Sequence, residues 1–397
     1  MLSRGRIVFF VLSLLLVSTL AGGHWMAEAA RSDEEDSLYK YLSTFTEVLS
    51  LIRQAYVDET QMEALMAGAL DGATDALDPF SIYLPAGEVE PYLAARRVGN
   101  RYSGMSLLKE RGIAYVVAVD PGSPAAEAGV QAGDLVSTLN GRSTRQLPLW
   151  EVQGLLAGEP GSKVEMVVIR LGEEETLAFE LAPYQSPAAT LERVERGGQA
   201  AGVLRIARFE PTTAGRVEEL LGEARRAGYD RLLVDLRNSA EGDGAVAYAV
   251  AGLFAGGELG KLVKREATLE TFRGGDAPVW QGELVVLTNR GTLGAAEVLA
   301  AVLRQRLDAE LVGEDTFGHA GRQDLADLPS GGRLVYTDAF FTGPDGETID
   351  EGLEPDVSVD FYSRDYSERE VPQAELIYRR GLDRLFATEV AALPEAA

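Results

Sequence analysis

The sequence has no cysteine, only two histidines, and far fewer basic than acidic side chains. Without thiols there are no disulfides, no thiolate nucleophile, no cysteine-held zinc and no lipid attached through sulfur. Of the two histidines, His24 lies beside an N-terminal apolar run, so a histidine-dependent triad or metal site has only His319 to rest on. The 37 Lys and Arg against 62 Asp and Glu give a formal net charge of −25. Nucleic-acid binding draws on basic groups that release phosphate counterions, and this balance argues against it. It argues equally against docking on anionic lipid by charge alone, and the acidic surface reads as a solvated one. No cofactor motif survives inspection. Gly313-x4-Gly318 is followed by His319-Ala320 where a phosphate loop needs Lys-Ser/Thr. His319 with Glu314 or Asp315 lacks the further histidine or cysteine that a metal site calls for. The expectation is no metal and no cofactor.

What is present is ordinary globular material, 397 residues with 46% hydrophobic and 25% charged, enough for two or three domains. Arg4 and Arg6 precede an almost unbroken apolar run from Ile7 to Ala21, and Ala27-Glu28-Ala29 offers a small-x-small cleavage site. This reads as an export signal over residues 1–30, shorter than the roughly 20 residues a spanning helix needs. An uncleaved anchor is the alternative, and would be the chain's one tie to a membrane. Either way the body is expected outside the cytoplasm, in the periplasm or cell envelope.

Leu42, Phe45, Val48, Leu49 and Ile52 recur at helical spacing, and a second helical stretch, Met62 to Ala76, stops at Leu77-Asp78-Pro79. Core packing accounts for both. From about Val98 to Pro183 short β-like runs alternate with turns. Tyr115 to Val119 and Val164 to Arg170 read as strands, and Leu149 to Leu156 as a helix. From Leu191 onward strands and helices alternate. The expected strands are 200–208, 231–237, 284–288 and 309–312, and the expected helices 214–227, 245–254 and 295–306. That alternation predicts βαβ units on a largely parallel sheet, with chemistry at the loops beyond the strand ends. The tail from 364 to 397 is charged and helix-prone.

The phrase PGSPAAEAGVQAGDLVSTLNG, residues 121–141, resembles the PDZ domain, whose chain passes through a short helix into a strand and a tight Asn-Gly turn. The chain from the first helix onward resembles the carboxyl-terminal processing, or tail-specific, serine peptidases. LIRQAYVDE and LDPFSIYL match the family's N-terminal region, and LLVDLRN matches the strand before its glycine-rich loop. GEDTFGHAGRQ and FFTGPDGETIDEGLEPDV match its late core motifs. The resemblance implies a ClpP/crotonase-like α/β peptidase core over 184–363. It also implies an inserted PDZ domain, small, β-rich and α+β, over 98–183, and an N-terminal helical segment over 31–97.

Cleaving members of that family use a serine nucleophile and a lysine base, in phrases like G-[ST]-A-S-A-S-E and T-F-G-K. Here the first phrase is Gly291-Thr292-Leu293-Gly294-Ala295-Ala296-Glu297 and the second Thr316-Phe317-Gly318-His319. Gly294 therefore stands at the nucleophile position and His319 at the base position. They are 25 residues apart, as the family pattern requires. Gln323 matches the glutamine that assists the lysine in some members. Glycine has no atom that can attack a carbonyl, and a histidine base needs a nucleophile to serve. Thr292, the nearest hydroxyl, occupies a position that holds Ser or Thr beside the true nucleophile in cleaving relatives, and is read as part of the turn. After LLVDLRN the family's Pro-Gly-Gly-like loop is replaced by Ser239-Ala240-Glu241-Gly242-Asp243-Gly244. Its carboxylates are read as unfavourable to an oxyanion.

The resemblance also implies a peptide-binding groove, with its carboxylate loop at Tyr102-Ser103-Gly104-Met105 and its helix at Leu149 to Leu156. The expectation is a non-cleaving homologue that binds unfolded or C-terminal peptide segments of envelope proteins. It would modulate, tether or present them to a partner. The alternatives are an active tail-specific endopeptidase and a structural scaffold, a homodimer through its terminal helices.

Overall fold

The computed structural model describes residues 39–110, 112–170, 172–359 and 371–387. The expected export signal, residues 31–38, and residues 364–370 and 388–397 of the tail lie outside them. The chain divides into two compact units, 1–69 and 70–397. The first contains helix α1 (39–55) and the start of α2 (Met62–Asp75). The expected helical periodicity is realised in α1, but Leu42, Phe45 and Val48 are exposed rather than packed in a core.

The second unit opens with β1 (Ile82–Leu84) and α3 (Val89–Val98), then enters a small antiparallel module. This comprises β2 (Met105–Glu110), β3 (Ile113–Val119), α4 (Pro124–Glu127), β4 (Leu135–Leu139), β5 (Arg142–Ser143), α5 (Leu149–Leu156), β6 (Lys163–Arg170) and β7 (Glu173–Glu180). The sheet order is β2-β3-β4-β6-β7, with β5 on β4. Asn140 and Gly141 both take positive φ, 49° and 73°, the geometry a two-residue turn between β4 and β5 requires. Val116, Val136, Met166 and Val168 project from one face of the sheet onto Val152 and Leu156 of α5. Beneath them Arg170 forks onto the buried Asp134, with both N–O distances 2.7 Å, and also donates to the Gly129 carbonyl.

The remaining chain runs β8 (Ala189–Arg196), β9 (Gln199–Ile206), β10 (Arg208–Phe209), α6 (Thr213–Arg226), β11 (Arg231–Asp235), β12 (Glu241–Gly242) and α7 (Gly244–Ala251). It continues through β13 (Gly257–Lys264), β14 (Ala267–Gly274), β15 (Glu283–Thr288), α8 (Ala295–Leu307) and β16 (Glu310–Gly313). It ends with β17 (Gly321–Asp327), β18 (Arg333–Phe341), β19 (Val357–Ser358) and α9 (Gln373–Leu385). The central sheet has the order β19-β16-β15-β11-β9-β8, parallel except for the edge strand β8. Alternate residues of β11 face opposite layers. Leu232 and Val234 pack with α6, α7 and α8, whereas Leu233 packs with Leu376, Ile377 and Leu385 of α9. Burial on both faces is why these strands read as continuous apolar runs.

A second sheet, β1-β18-β13-β14 with β17 on β18, is antiparallel and was not anticipated. Strand β14 is exposed along most of its length and mixes Glu, Thr and Arg with its few apolar residues, so it lacks the hydrophobic signature of a strand. This sheet supplies one wall of the site. The small module docks beside it, with Leu108, Val117 and Leu149 packing against Ile82, Leu84, Tyr92, Leu293 and Val335. A polar clasp reinforces the contact. Arg208 donates to Asp120 at 2.9 Å, and the Tyr184 hydroxyl donates to the same carboxylate at 2.7 Å.

Candidate functional site

Three loops leave the C-terminal ends of β11, β15 and β16 and are tied together by short bonds. Asn289 Nδ2 donates to Asn238 Oδ1 at 2.8 Å, and Asn238 N–H returns to Asn289 Oδ1 at 2.9 Å. Leu293 N–H donates to the Ser239 carbonyl, and Phe317 N–H to the Thr292 carbonyl, each at 3.0 Å. The sheet topology thereby brings residues 238–244, 289–294 and 314–319 to one place, the usual site of chemistry in open α/β sheets.

Gly294 is the N-cap of α8 with φ 61° and ψ −109°. Positive φ here is strained for any residue with a Cβ, so glycine relaxes a turn that a serine would hold under tension. Space is not the obstacle. A Cβ on Gly294 would meet only the His319 carbonyl oxygen, at 3.8 Å.

Glu297, in the first turn of α8, joins this turn to the loop 316–319. Its buried carboxylate accepts from Gly294 N–H at 2.9 Å, His319 N–H at 3.0 Å, Gly318 N–H at 2.6 Å and the Thr316 hydroxyl at 2.5 Å. Burial pushes its acidity down and its pKa up, against the four donors that favour the ionised form. No role was assigned to Glu297 from sequence. A glutamate three residues into a helix is, however, a recognisable capping signal.

His319 is buried in an aromatic box. Its ring stacks on Phe80 with centroids 4.4 Å apart and meets the edge of Phe340 at 5.3 Å. Desolvation lowers its pKa, opposed by Asp78 and Asp350, so the imidazole is neutral at physiological pH. Nε2 lies 3.2 Å from Thr337 Oγ1, and Gln323 Nε2 donates to that same oxygen at 2.7 Å. The Thr337 hydroxyl is thus shared between the imidazole and the Gln323 amide. Gln323 is linked to His319 through Thr337.

Thr292 is removed from the reaction space. Its fully buried hydroxyl donates to the Leu236 carbonyl and accepts from Asn289 N–H, each at 3.0 Å. The loop acids are also otherwise engaged. Asp243 caps α7 by accepting from Ala245 N–H at 2.9 Å, and Glu241 turns toward Ser106 of the small module at 3.0 Å. The expected charge against an oxyanion is therefore not how these two carboxylates are used.

An open cleft of about 1760 Å³ adjoins His319, bordered by Val117, Asn238, Gly291, Phe317 and Thr337. A separate groove of about 470 Å³ runs between β2 and α5, lined by Met105, Ser106, Leu107, Leu149, Trp150 and Leu156. Of the loop residues anticipated from sequence, Met105 lines this groove. Tyr102, Ser103 and Gly104 instead hold the module together. The Tyr102 carbonyl accepts from Ala182 N–H and the Ser103 carbonyl from Ala125 N–H, both at 3.1 Å. Gly104 is bonded through N–H to Asn100 and through its carbonyl to Asp120 N–H. The polar lining has moved on to Ser106, a position no sequence signal marked. Among the described residues there is no group of three or more His, Cys, Asp or Glu able to hold a metal, and no helix long and apolar enough to cross a membrane.

The pattern of Peptidase family S41 matches residues 200–359, and a PDZ domain pattern matches 115–170. A carboxyl-terminal-processing protease of Picosynechococcus sp. is 30% identical over 379 residues, covering 89% of this chain and 90% of the relative. One from Synechocystis sp. is 32% identical over 270 residues, 66% of this chain, and the match spans only 63% of that relative. A carboxy-terminal-processing protease of Bartonella bacilliformis is 26% identical over 367 residues, covering 89% and 82% of the two chains. Among solved structures, a photosystem II D1 C-terminal processing protease superposes with a TM-score of 0.67 at 26% identity, over 86% of this chain and 91% of that one. The parallel sheet and the inserted antiparallel module are thus those of a known lineage, and this chain belongs to peptidase family S41, with a PDZ domain and carboxyl-terminal-processing proteases among its relatives.

Proposed function

We propose that this chain is a non-cleaving member of its family that binds unfolded or C-terminal peptide segments through its PDZ domain, in the cell envelope. The observation that carries this reading is the turn at Gly294. The turn caps α8 and is linked to His319 through Glu297, but no side-chain atom is available there to attack a carbonyl. Loss of the nucleophile alone removes most of the rate in triad-type enzymes. The commitment of Thr292 to two buried hydrogen bonds supports the same reading. The β2–α5 groove supports peptide binding, since an extended segment can add to a sheet edge there. The apolar N-terminal run supports export.

One observation favours a second reading, an active endopeptidase. Thr337 Oγ1 stands 3.2 Å from His319 Nε2 at the edge of the open cleft, a hydroxyl beside a neutral base. Incubating the purified chain with an unfolded protein separates the two. The proposal expects no fragments. Fragments that vanish in Thr337→Val and His319→Ala would establish the second reading instead.

A further inference from the structure

Glu241 sits in the loop that replaces the family's glycine-rich segment, yet its carboxylate enters the PDZ groove. Oε1 accepts from the Ser106 hydroxyl at 3.0 Å. Ser106 is the second residue of β2, at the head of a slot walled by Met105, Leu107, Leu149 and Leu156. Such a groove takes an extended peptide beside its sheet edge and captures the terminal carboxylate on donor groups, and here Glu241 already holds a carboxylate on the Ser106 hydroxyl. A second side chain bridges the slot, since Gln153 Nε2 of α5 reaches the Leu107 carbonyl at 3.5 Å. The backbone of Glu241 is pinned to the core on its other side, pairing with Arg208 in the short parallel β10–β12 ladder. Its loop is bonded to the Gly294 turn through Ser239 and Leu293. Burial raises the pKa of Glu241, as expected of a carboxylate held in a low-dielectric slot.

We infer that Glu241 is an internal stand-in for a peptide's terminal carboxylate: a C-terminal peptide with an apolar last residue enters the groove by displacing it, and its departure frees the 238–244 loop beside the Gly294 turn. This rests on the peptide-binding reading of the PDZ domain and adds its regulation. Apparent affinity is then reduced by the fraction of molecules in which Glu241 occupies the groove.

The test uses the full chain with Glu241→Gln and Glu241→Ala, each checked for native circular dichroism. The probe is a fluorescein-labelled peptide ending in leucine, as the free acid and as the C-terminal amide, followed by anisotropy. Losing a charge-assisted contact predicts that Glu241→Ala binds the free acid about tenfold more tightly than the parent, with Glu241→Gln between them. The amide binds weakly throughout. Hydrogen exchange in 238–244 rises when the parent binds the free acid. Equal affinities in all three proteins, with exchange unchanged, overturn the inference and leave peptide binding standing. Binding by none of the three overturns peptide binding as well.

Discussion

Glu297 accepts the backbone N–H of His319 at 3.0 Å, across 22 residues of chain. The same oxygen accepts from Gly294, so one buried carboxylate sets the separation of the two positions that the sequence resemblance pairs as nucleophile and base.

That carboxylate is fully buried and satisfies four donors, so Glu297→Ala would leave them unpaired in the core. The expected loss is about 3 kcal/mol or more by urea denaturation. Glu297→Gln turns one acceptor into a donor facing a donor, and should cost about 2 kcal/mol. A loss below about 0.5 kcal/mol in both would mean that the clip carries no strain between turn and loop.

Gly294→Ser should fold, because only the His319 carbonyl approaches a Cβ there. Its φ of 61° should cost about 1–2 kcal/mol, seen as a lowered Tm. Combined with His319→Lys, the variant is expected to acquire slow hydrolysis of an unfolded substrate. Continued inertness of a well-folded double variant would locate the block in the Ser239–Gly244 loop.

Thr292→Val removes a buried hydroxyl that both donates and accepts. A stability loss of about 1–3 kcal/mol is expected, with no change in hydrolysis measured on the unfolded substrate. A change in hydrolysis would return Thr292 to the list of nucleophiles.

His319 titrates below the ordinary imidazole value of 6.5 because burial penalises its charged form. The unfolded chain therefore takes up the proton first. The contribution of His319 to stability is complete above about pH 6.5 and is lost as pH falls through the window beneath it. His319→Phe keeps the stack on Phe80 and cannot titrate. The stability difference between parent and variant should shift toward the variant between pH 7.5 and 5.5, measured by thermal melts at matched ionic strength. A pH-independent difference would show that the ring is solvated.

Much of the frame was legible in the residues. The strands of the parallel sheet stand out because burial on both faces leaves them uniformly apolar, as in Leu232, Leu233 and Val234. Gly294 and His319 were found by position within short phrases, and no fold was needed to see that glycine lacks a nucleophile. Strand β14 and the carboxylate of Glu297 were harder. Exposed strands carry little hydrophobic pattern, and a glutamate at a helix start is common enough to pass as a cap. The direction of Glu241 was misread, since an acidic loop residue gives no sign of which neighbour it will face.

By itself the sequence determined the parallel sheet, the PDZ module, the family and the lack of a side chain at position 294, because these depend on residue identity and local periodicity. Only the tertiary structure decided that Thr292 is consumed by Leu236 and Asn289, that His319 rests neutral against Phe80, and that Glu241 lies on Ser106. Each of those depends on which groups, from three to more than two hundred residues apart, share a dry space, and hydrogen bonding and desolvation act through distance in space rather than order along the chain.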